Sequence, residues 1–539
     1  MRKNKRAAWI ISSLLVLSFV ITACGGSNGG KASDAPSGNA GTSANTKTDS
    51  GNTKNVNLKV SLWGIQDGFN APGAKEDKIF NDLQSKFNVS IDPVQITWND
   101  WEEKLKVWAA SNQLPDIFPN ALAGNLGMYK TWAKQGVIKA LPDDLSKYPN
   151  IKRVMALPSV QPLKVDGKFY MIPRMTYNDP SDWSLDRPIL YRKDWAIEAG
   201  FTKDPESFDD LVAMTKAVMA KHPGVTGIAT TAKSFLMTHF LGSFPEVVNM
   251  KSWVKEDGKW IPSYTSKKMN EGVKQLRTLY EEGLLDKDFA TQKDSDGVNK
   301  FINGKIFMYF GSPGSIDPFI KANPGATVAK SLGLMKWFPA ADGKRYTFTE
   351  TPYWSEVYFR NDISDEKFDR ALQLADYMMS EQYRILVKNG IEGTDYKMEG
   401  DKSLSLLATD QSLDKKYPIT KVINVLGSWG NGFRYSGKQV ISSNPEQAAF
   451  EKLFLDTYNQ LKKEAVPTPI NFDVMLMSTP AKDKIGNLMN TAQDELVKVI
   501  LGKDDPIAMW EKAVKSFDAK GLQEAIVETN AEAAKLGIK

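Results

Sequence analysis

The sequence predicts an α/β fold with a helical C-terminal region. Three observations carry this. Strand and helix patterns alternate from Val56 onward, amphipathic helical faces recur to the end of the chain, and no tandem repeat or later membrane-length apolar run interrupts them. Val56, Leu58, Val60 and Leu62 alternate with polar residues, which predicts a strand. Gly64, Gly68, Asn70 and Pro72 break it. Ile79, Phe80, Leu83 and Phe87 recur at helical spacing, and Val89, Ile91, Val94 and Ile96 read as strand again. Strand, helix and strand in so short a stretch predict a βαβ unit and a parallel sheet. Trp101, Leu105 and Trp108 make the next helical face, and Leu114-Pro115-Asp116-Ile117-Phe118 returns to a short strand.

Further helical faces follow. Phe208, Leu211, Val212, Thr215, Val218 and Met219 share one; Met269, Val273, Leu276 and Tyr280 share another. Ser364 is placed to cap a helix bearing Phe368, Ala371, Leu372, Ala375, Met378 and Met379. Asp505-Pro506 reads as an N-cap with proline at the first helical position, ahead of Ile507, Trp510, Val514 and Phe517.

The N-terminus has a different character. Arg2, Lys3, Lys5 and Arg6 precede an apolar stretch, Ala7–Val20, shorter than the ~20 residues a spanning helix needs. Ile21-Thr22-Ala23-Cys24 follows, and Cys24 is the only cysteine of the 539 residues. Small residues before a cleavage point mark a secretory signal peptide. The pattern resembles the lipobox of bacterial lipoproteins, which implies a signal peptide over 1–23 and lipidation at Cys24, outside the cell membrane. Residues 24–55 contain no aromatic residue and no Leu or Ile, with Gly, Ser, Asn and Thr dominating. Such a segment cannot offset its chain entropy by burial, so it reads as a tether spanning roughly 30 Å. The net charge of +5 includes the four leader cations, so it gives no argument for nucleic-acid binding. With 42% hydrophobic and 25% charged residues the remainder is globular, and long enough for two or more domains.

Few catalytic motifs are present. His222 and His239 share no metal-ligand spacing, and the one Gly-x-Ser-x-Gly match, Gly25–Gly29, lies in the tether rather than between strand and helix. Asp294-Ser295-Asp296-Gly297 is similar to part of a calcium loop, but Gln292 and Asn303 stand where that loop needs carboxylates, so an ordinary turn is the better reading. No cofactor and no metal is expected. Aromatic residues stand out instead. Trp108, Trp132, Trp195 and Trp510 fit helical cores, whereas Trp63, Trp183, Trp354 and Trp429 lie in Gly, Pro and polar contexts. Indole faces beside amides and charged groups suit a sugar, whose C–H face packs on the ring.

Several stretches together resemble a family: Leu114–Phe118, Asp166–Pro173, Leu190–Trp195 with Ala199–Phe201, Glu282–Leu284, Asn303–Met308, Asn389–Gly393, and the run from Asn490 through Gly502 to Trp510. In order and spacing the chain is similar to the extracellular solute-binding proteins of ABC importers, of the carbohydrate type that includes maltose-binding protein. The lipoprotein subgroup typical of Bacillus and Paenibacillus is the nearest pattern. The resemblance implies a two-lobed periplasmic-binding-protein-like fold with a hinge. By its chain path, residues 56–172 and 347–420 form lobe 1, and 173–346 and 421–539 form lobe 2, with Pro173 at a crossover. It implies no enzyme activity. Its implied partners are a carbohydrate ligand, permease subunits and the membrane through the anchor, for a protein that is a monomer. Candidate ligand contacts are Trp63 and Asp67 after the first strand, and Asp116 and Asn120 after the next. Arg174 and Tyr177 lie by one crossover, Phe310 and Ser312 follow a lobe 2 segment, Tyr353 and Trp354 lie by the second crossover, and Glu392 sits in its Gly-rich loop. Two other classes stay open on residues alone: a glycan-degrading lipoprotein with facing carboxylates, and a structural surface protein. Within the binding class, a peptide or polyamine ligand is the alternative to a sugar.

Overall fold

The computed structural model describes residues 54–98, 100–122, 126–177, 180, 182–183, 188–230, 244–311, 315–400, 402–408, 410–427 and 440–539. The leader, Cys24 and the tether lie outside these residues. The first strands are β1 (Val56–Trp63), β2 (Val89–Ile96), β3 (Ile117–Asn120), β4 (Ile172–Met175), β5 (Ile189–Arg192) and β6 (Thr226–Thr230). A hairpin, β7 (Trp253–Glu256) and β8 (Lys259–Pro262), precedes β9 (Ile306–Phe310), β10 (Leu332–Met335), β11 (Arg345–Thr347) and β12 (Tyr353–Phe359). The first helices are α1 (Ile65–Asn70), α2 (Lys78–Phe87), α3 (Trp101–Ala110) and α4 (Leu126–Lys134).

One sheet has the order β2-β1-β3-β12-β4. β1 is parallel to β2 and β3, with α2 as the crossover between β1 and β2, so the expected βαβ unit is present. Pro93 lies in β2 at the edge of the sheet, where its missing N–H is tolerated. The alternation in β1 holds only for its first half. Ser61 and Trp63 are buried as well as Leu62, because both faces of the strand's C-terminal half are covered. β12 runs antiparallel between β3 and β4. A second sheet has the order β10-β5-β9-β6, with β6 parallel to β9 and β5 antiparallel to β9 and β10.

Each sheet has its own core. The first gathers residues between Val56 and Ile172 and again between Tyr353 and Leu426. The second gathers residues between Tyr177 and Phe348 and again between Val474 and Ala533. A smaller cluster with Leu190, Ala229, Tyr309 and Leu334 covers the other face of the second sheet. The protein is therefore two-lobed. The connecting segments run side by side: the Thr176 and Tyr177 amides both donate to the Pro352 carbonyl, at 2.9 and 3.2 Å. The helical C-terminal region packs on the second lobe, where helices Leu488–Leu501 and Pro506–Ser516 lie against helix Met269–Glu281. Ser364 and Asp505 cap their helices through the Lys367 and Ala508 amides, as their spacing predicts.

A buried carboxylate joins distant parts of the first lobe. Asp77 accepts from the Phe80 amide (3.0 Å), the Ile419 amide (2.9 Å), the Thr420 amide (2.8 Å) and the Thr420 hydroxyl (2.7 Å). It thus caps α2 and fixes the start of helix Pro418–Ile423 at once. Asp77→Ala would leave buried amides without acceptors. A loss of about 3 kcal/mol is expected, seen as a lower denaturation midpoint at unchanged slope.

Candidate functional site

β1, β2 and β3 are parallel, so their C-terminal ends share one edge of the first sheet, the usual ligand side of such sheets. Trp63 ends β1, Trp98 lies just beyond β2, Asn120 ends β3, and Trp354 stands at the start of the antiparallel β12. This topology gathers four indoles. The Trp63 and Trp98 rings stack at 4.7 Å with 5° between planes. Trp101 meets Trp63 edge-on at 5.4 Å, and Trp354 lies 5.6 Å from Trp63 and 5.9 Å from Trp98. Such pairs add about 0.5–1.5 kcal/mol each beyond area burial. Trp63 is 6% exposed and Trp98 53%, so Trp98 offers the open surface and Trp63 backs it.

Arg174 lies beneath the cluster. It is 0% exposed, and its guanidinium carbon stands 4.8 Å from the Trp63 ring and 5.7 Å from Trp354. Its Nε donates to Ser355 Oγ (2.9 Å), Nη1 donates to the Val425 carbonyl (2.7 Å), and Nη2 also donates to Ser355 Oγ. Burial pushes its pKa down to about 9, with Glu356 opposing, so it stays charged at neutral pH. Ser355 has φ 56°, and the β12–β4 register shifts between Tyr353 and Glu356. That irregularity breaks the strand's alternation at the point where Trp354 joins the cluster.

Trp98 is carried by a tight turn. The Thr97 amide donates to Asp100 Oδ1 (2.7 Å), the Trp101 amide donates to the Thr97 carbonyl (3.1 Å), and Lys104 Nζ lies 2.9 Å from Asp100 Oδ2. Lys104, and then the Thr97 amide, hold the Asp100 carboxyl down at about 2. Gln95 fastens the neighbouring segment by accepting from the Gln66 amide at 2.9 Å.

The expected contacts separate into groups. Trp63 and Trp354 belong to the cluster, though Trp63 and Arg174 are buried beneath its surface rather than presented. Asp67 is exposed on α1, directly after β1, and Asn120 ends β3 with its side chain accepting from the Ala121 amide at 2.8 Å. Asp116 is corrected. It precedes β3, at the opposite end from Asn120, where it accepts from the Lys59 amide (2.9 Å) and pairs with Lys367 (2.8 Å). The strand begins at Ile117, later than its sequence pattern indicated, so the carboxylate stays behind the sheet. Tyr353 is buried in the first core, and its hydroxyl donates to the Ser159 carbonyl at 3.1 Å. Tyr177 and Phe310 are buried in the second core, Tyr177 edge-on to Trp183 at 5.3 Å and Phe310 at the end of β9. Glu392 faces solvent. Ser312 and Trp429 lie outside the described residues. No local motif marks Trp98 or Asp100, and helical spacing alone places Trp101 in packing. Their position directly after a strand was the available signal.

Among the described residues no group of three His, Cys, Asp or Glu is arranged to hold a metal ion. Asp296, in the calcium-like stretch, instead accepts from the Lys293 amide (2.8 Å) at the start of helix Asp294–Ile302.

Comparison with known proteins agrees with this architecture. Residues 78–385 match the family described as bacterial extracellular solute-binding protein, and the chain belongs to that family. It is 21% identical over 467 residues to the polygalacturonan/rhamnogalacturonan-binding protein YtcQ of Bacillus subtilis, covering 84% of this chain and 87% of that one. Lipoprotein LipO of the same organism is 24% identical over 449 residues, covering 78% and 83% of the two chains. The structure of the Streptococcus pneumoniae ABC-transporter substrate-binding protein FusA in complex with kestose superposes with a TM-score of 0.65 at 17% identity, over 89% of this chain and 99% of that one. The two-lobed solute-binding fold is thus common to both.

Asp100→Ala should release the turn that stacks Trp98 on Trp63, and the exciton signal of the indole pair in circular dichroism should fall. The Asp100 carboxyl is depressed from 3.8 to about 2, so its contribution is complete above the ordinary value and is lost as pH falls through about 2. In the wild-type protein the signal should therefore persist on acidification from pH 5 and fade only near pH 2.

Proposed function

We propose that this protein is the lipid-anchored, extracellular binding component of an ABC importer, which captures an oligosaccharide or related carbohydrate between its lobes and hands it to a membrane permease. The observation that carries the reading is the tryptophan cluster topped by Trp98, at the strand-end edge of the first sheet and beside the paired crossovers. An exposed indole on a rigid aromatic backing is an apolar platform for a sugar ring, and Asp67 and Asn120 lie on the same edge to accept or donate hydrogen bonds. Related proteins named for polygalacturonan and rhamnogalacturonan, or solved with kestose, support a carbohydrate rather than a peptide or polyamine.

The mechanism is binding without chemistry. Ligand held by both lobes favours the closed arrangement, because only there are all its contacts made, and the crossover segments take up the hinge motion. The permease reads the closed form. Cys24, in Ile21-Thr22-Ala23-Cys24, carries the lipid, and the segment up to Asn55 spaces the lobes from the membrane. The relative LipO bears the name lipoprotein, which supports this anchoring.

Thermal unfolding against oligosaccharides, uronates, peptides and polyamines tests the ligand class, since a ligand of the native state raises the melting temperature. A shift with one glycan class, and the glycan recovered intact, is expected. A cleaved product would make the protein an enzyme, and a shift with peptide or polyamine alone would overturn the carbohydrate assignment. Trp98→Ala should weaken the glycan by about tenfold, or ~1.4 kcal/mol, while the unliganded protein stays folded with a melting temperature lowered by the loss of its two ring pairs. Cys24→Ser should move the protein from the membrane fraction to the medium in a secreting host.

A further inference from the structure

Among the described residues, two helices bring the lobes into contact away from the crossovers. α4 follows β3 and starts near the same sheet edge as the tryptophan cluster. It is anchored in the first core by Leu126, Tyr129, Trp132 and Ala133. Helix Pro480–Lys484 is anchored in the second core by Ala481, with Ile485 just after it. It is tied to the C-terminal helix Leu522–Lys535, because the Ala481 amide donates to Glu528 Oε2 at 2.8 Å. Lys482 fixes the preceding segment, donating to the carbonyls of Val474 (2.5 Å), Met475 (2.9 Å) and Met477 (2.7 Å). Each helix is thus a rigid part of its own lobe.

Their contact is close. A Cβ added at Gly127 would stand 2.9 Å from the Asp483 Cβ and 3.6 Å from the Asp483 carbonyl oxygen. Only a residue without a side chain lets these backbones come so near. Beside it, Lys130 Nζ donates to Ser478 Oγ, and Ser478 Oγ donates to Asp483 Oδ2 at 2.5 Å. The chain Lys130–Ser478–Asp483 therefore joins a cation of one lobe to a carboxylate of the other through one hydroxyl. Gly127 and Lys130 lie three apart, on one face of α4.

We propose that α4 and helix Pro480–Lys484 form a clasp between the lobes, in which Gly127 permits close approach and the Lys130–Ser478–Asp483 hydrogen bonds hold it. The clasp sets the balance between open and closed arrangements before any ligand binds. It rests on the hinge motion proposed above, but not on the identity of the ligand.

The test uses the full chain without ligand, read by small-angle X-ray scattering. Gly127→Leu wedges the contact and should shift the radius of gyration upward, while circular dichroism stays native. Lys130→Ala removes the hydrogen bond without adding bulk, so it keeps the test open should Gly127→Leu not fold; it too should shift the radius upward. The pair Gly127→Cys with Asp483→Cys would start with Cβ atoms 2.9 Å apart, so the helices must separate slightly to reach the ~3.5–4.5 Å of a disulfide, in a chain whose only other cysteine is Cys24. Oxidation should lower the radius to a limit that reductant reverses. Equal radii for the Lys130→Ala protein, the oxidised pair and the wild type would overturn the clasp. Since no sugar is added, failure of the carbohydrate assignment would leave these results unchanged.

Discussion

The buried charge of Arg174 is the constraint on which the site depends. A guanidinium taken out of water is costly unless its donors are satisfied. Here they are met by Ser355 and the Val425 carbonyl, and the planar group lies against Trp63 and Trp354. Those partners come from three separate passages of the chain: the end of β1, the returning strand β12 and the segment after helix Pro418–Ile423. Arg174 itself sits on β4, the strand that leads out of the first lobe. One side chain thus joins the crossover to the floor of the aromatic cluster. Ser355 holds a left-handed backbone, unusual for a residue with a Cβ, and its hydroxyl accepts twice from Arg174.

The aromatic cluster follows from strand order rather than from any local motif. Trp63 and Trp98 are brought together because β1 and β2 are parallel and in register from Val56 to Trp63. Trp354 joins them because β12 runs the other way and starts at the edge where β1 ends. A parallel pair and an antiparallel neighbour therefore converge on one patch. The exposed member, Trp98, is also the one held by the most local device, the Asp100 turn. A rigid floor and a short polar turn place an open indole without requiring a long ordered loop.

Each lobe is stabilised in a similar way, by buried polar groups that bind distant backbone. Asp77 ties α2 to a helix far along the chain in the first lobe. In the second, Arg277 donates to the Val499 and Asp504 carbonyls and so ties helix Met269–Glu281 to the end of helix Leu488–Leu501. These contacts explain how a chain that leaves one lobe, builds another and returns can hold its segments in place. The price is a small number of positions where truncation leaves buried donors or acceptors unmet.

By itself the sequence determined what depends on neighbouring residues. The alternation of Val56, Leu58, Val60 and Leu62 specified β1, helical spacing specified α2, and Ser364 and Asp505 specified helix starts, because strands, helices and caps are set by residues a few positions apart. The order of motifs along the chain was enough for the family. The tertiary structure alone decided which side chains meet. Asp116 and Asn120 are four residues apart yet lie at opposite ends of β3, so where the element starts, at Ile117 rather than Leu114, decides which of them stands at the edge with the tryptophan cluster. Tyr353 and Trp354 are adjacent in β12, so strand alternation sends one into the first core and the other into the cluster, and only the fold shows which face carries the cluster. Arg174 is expected as a ligand contact from its place beside a crossover, and only packing shows its partners to be Ser355 and the Val425 carbonyl. The position of Trp98 after β2 is its one local signal, and Gly127 carries none, since their roles depend on groups supplied by other strands and by the other lobe.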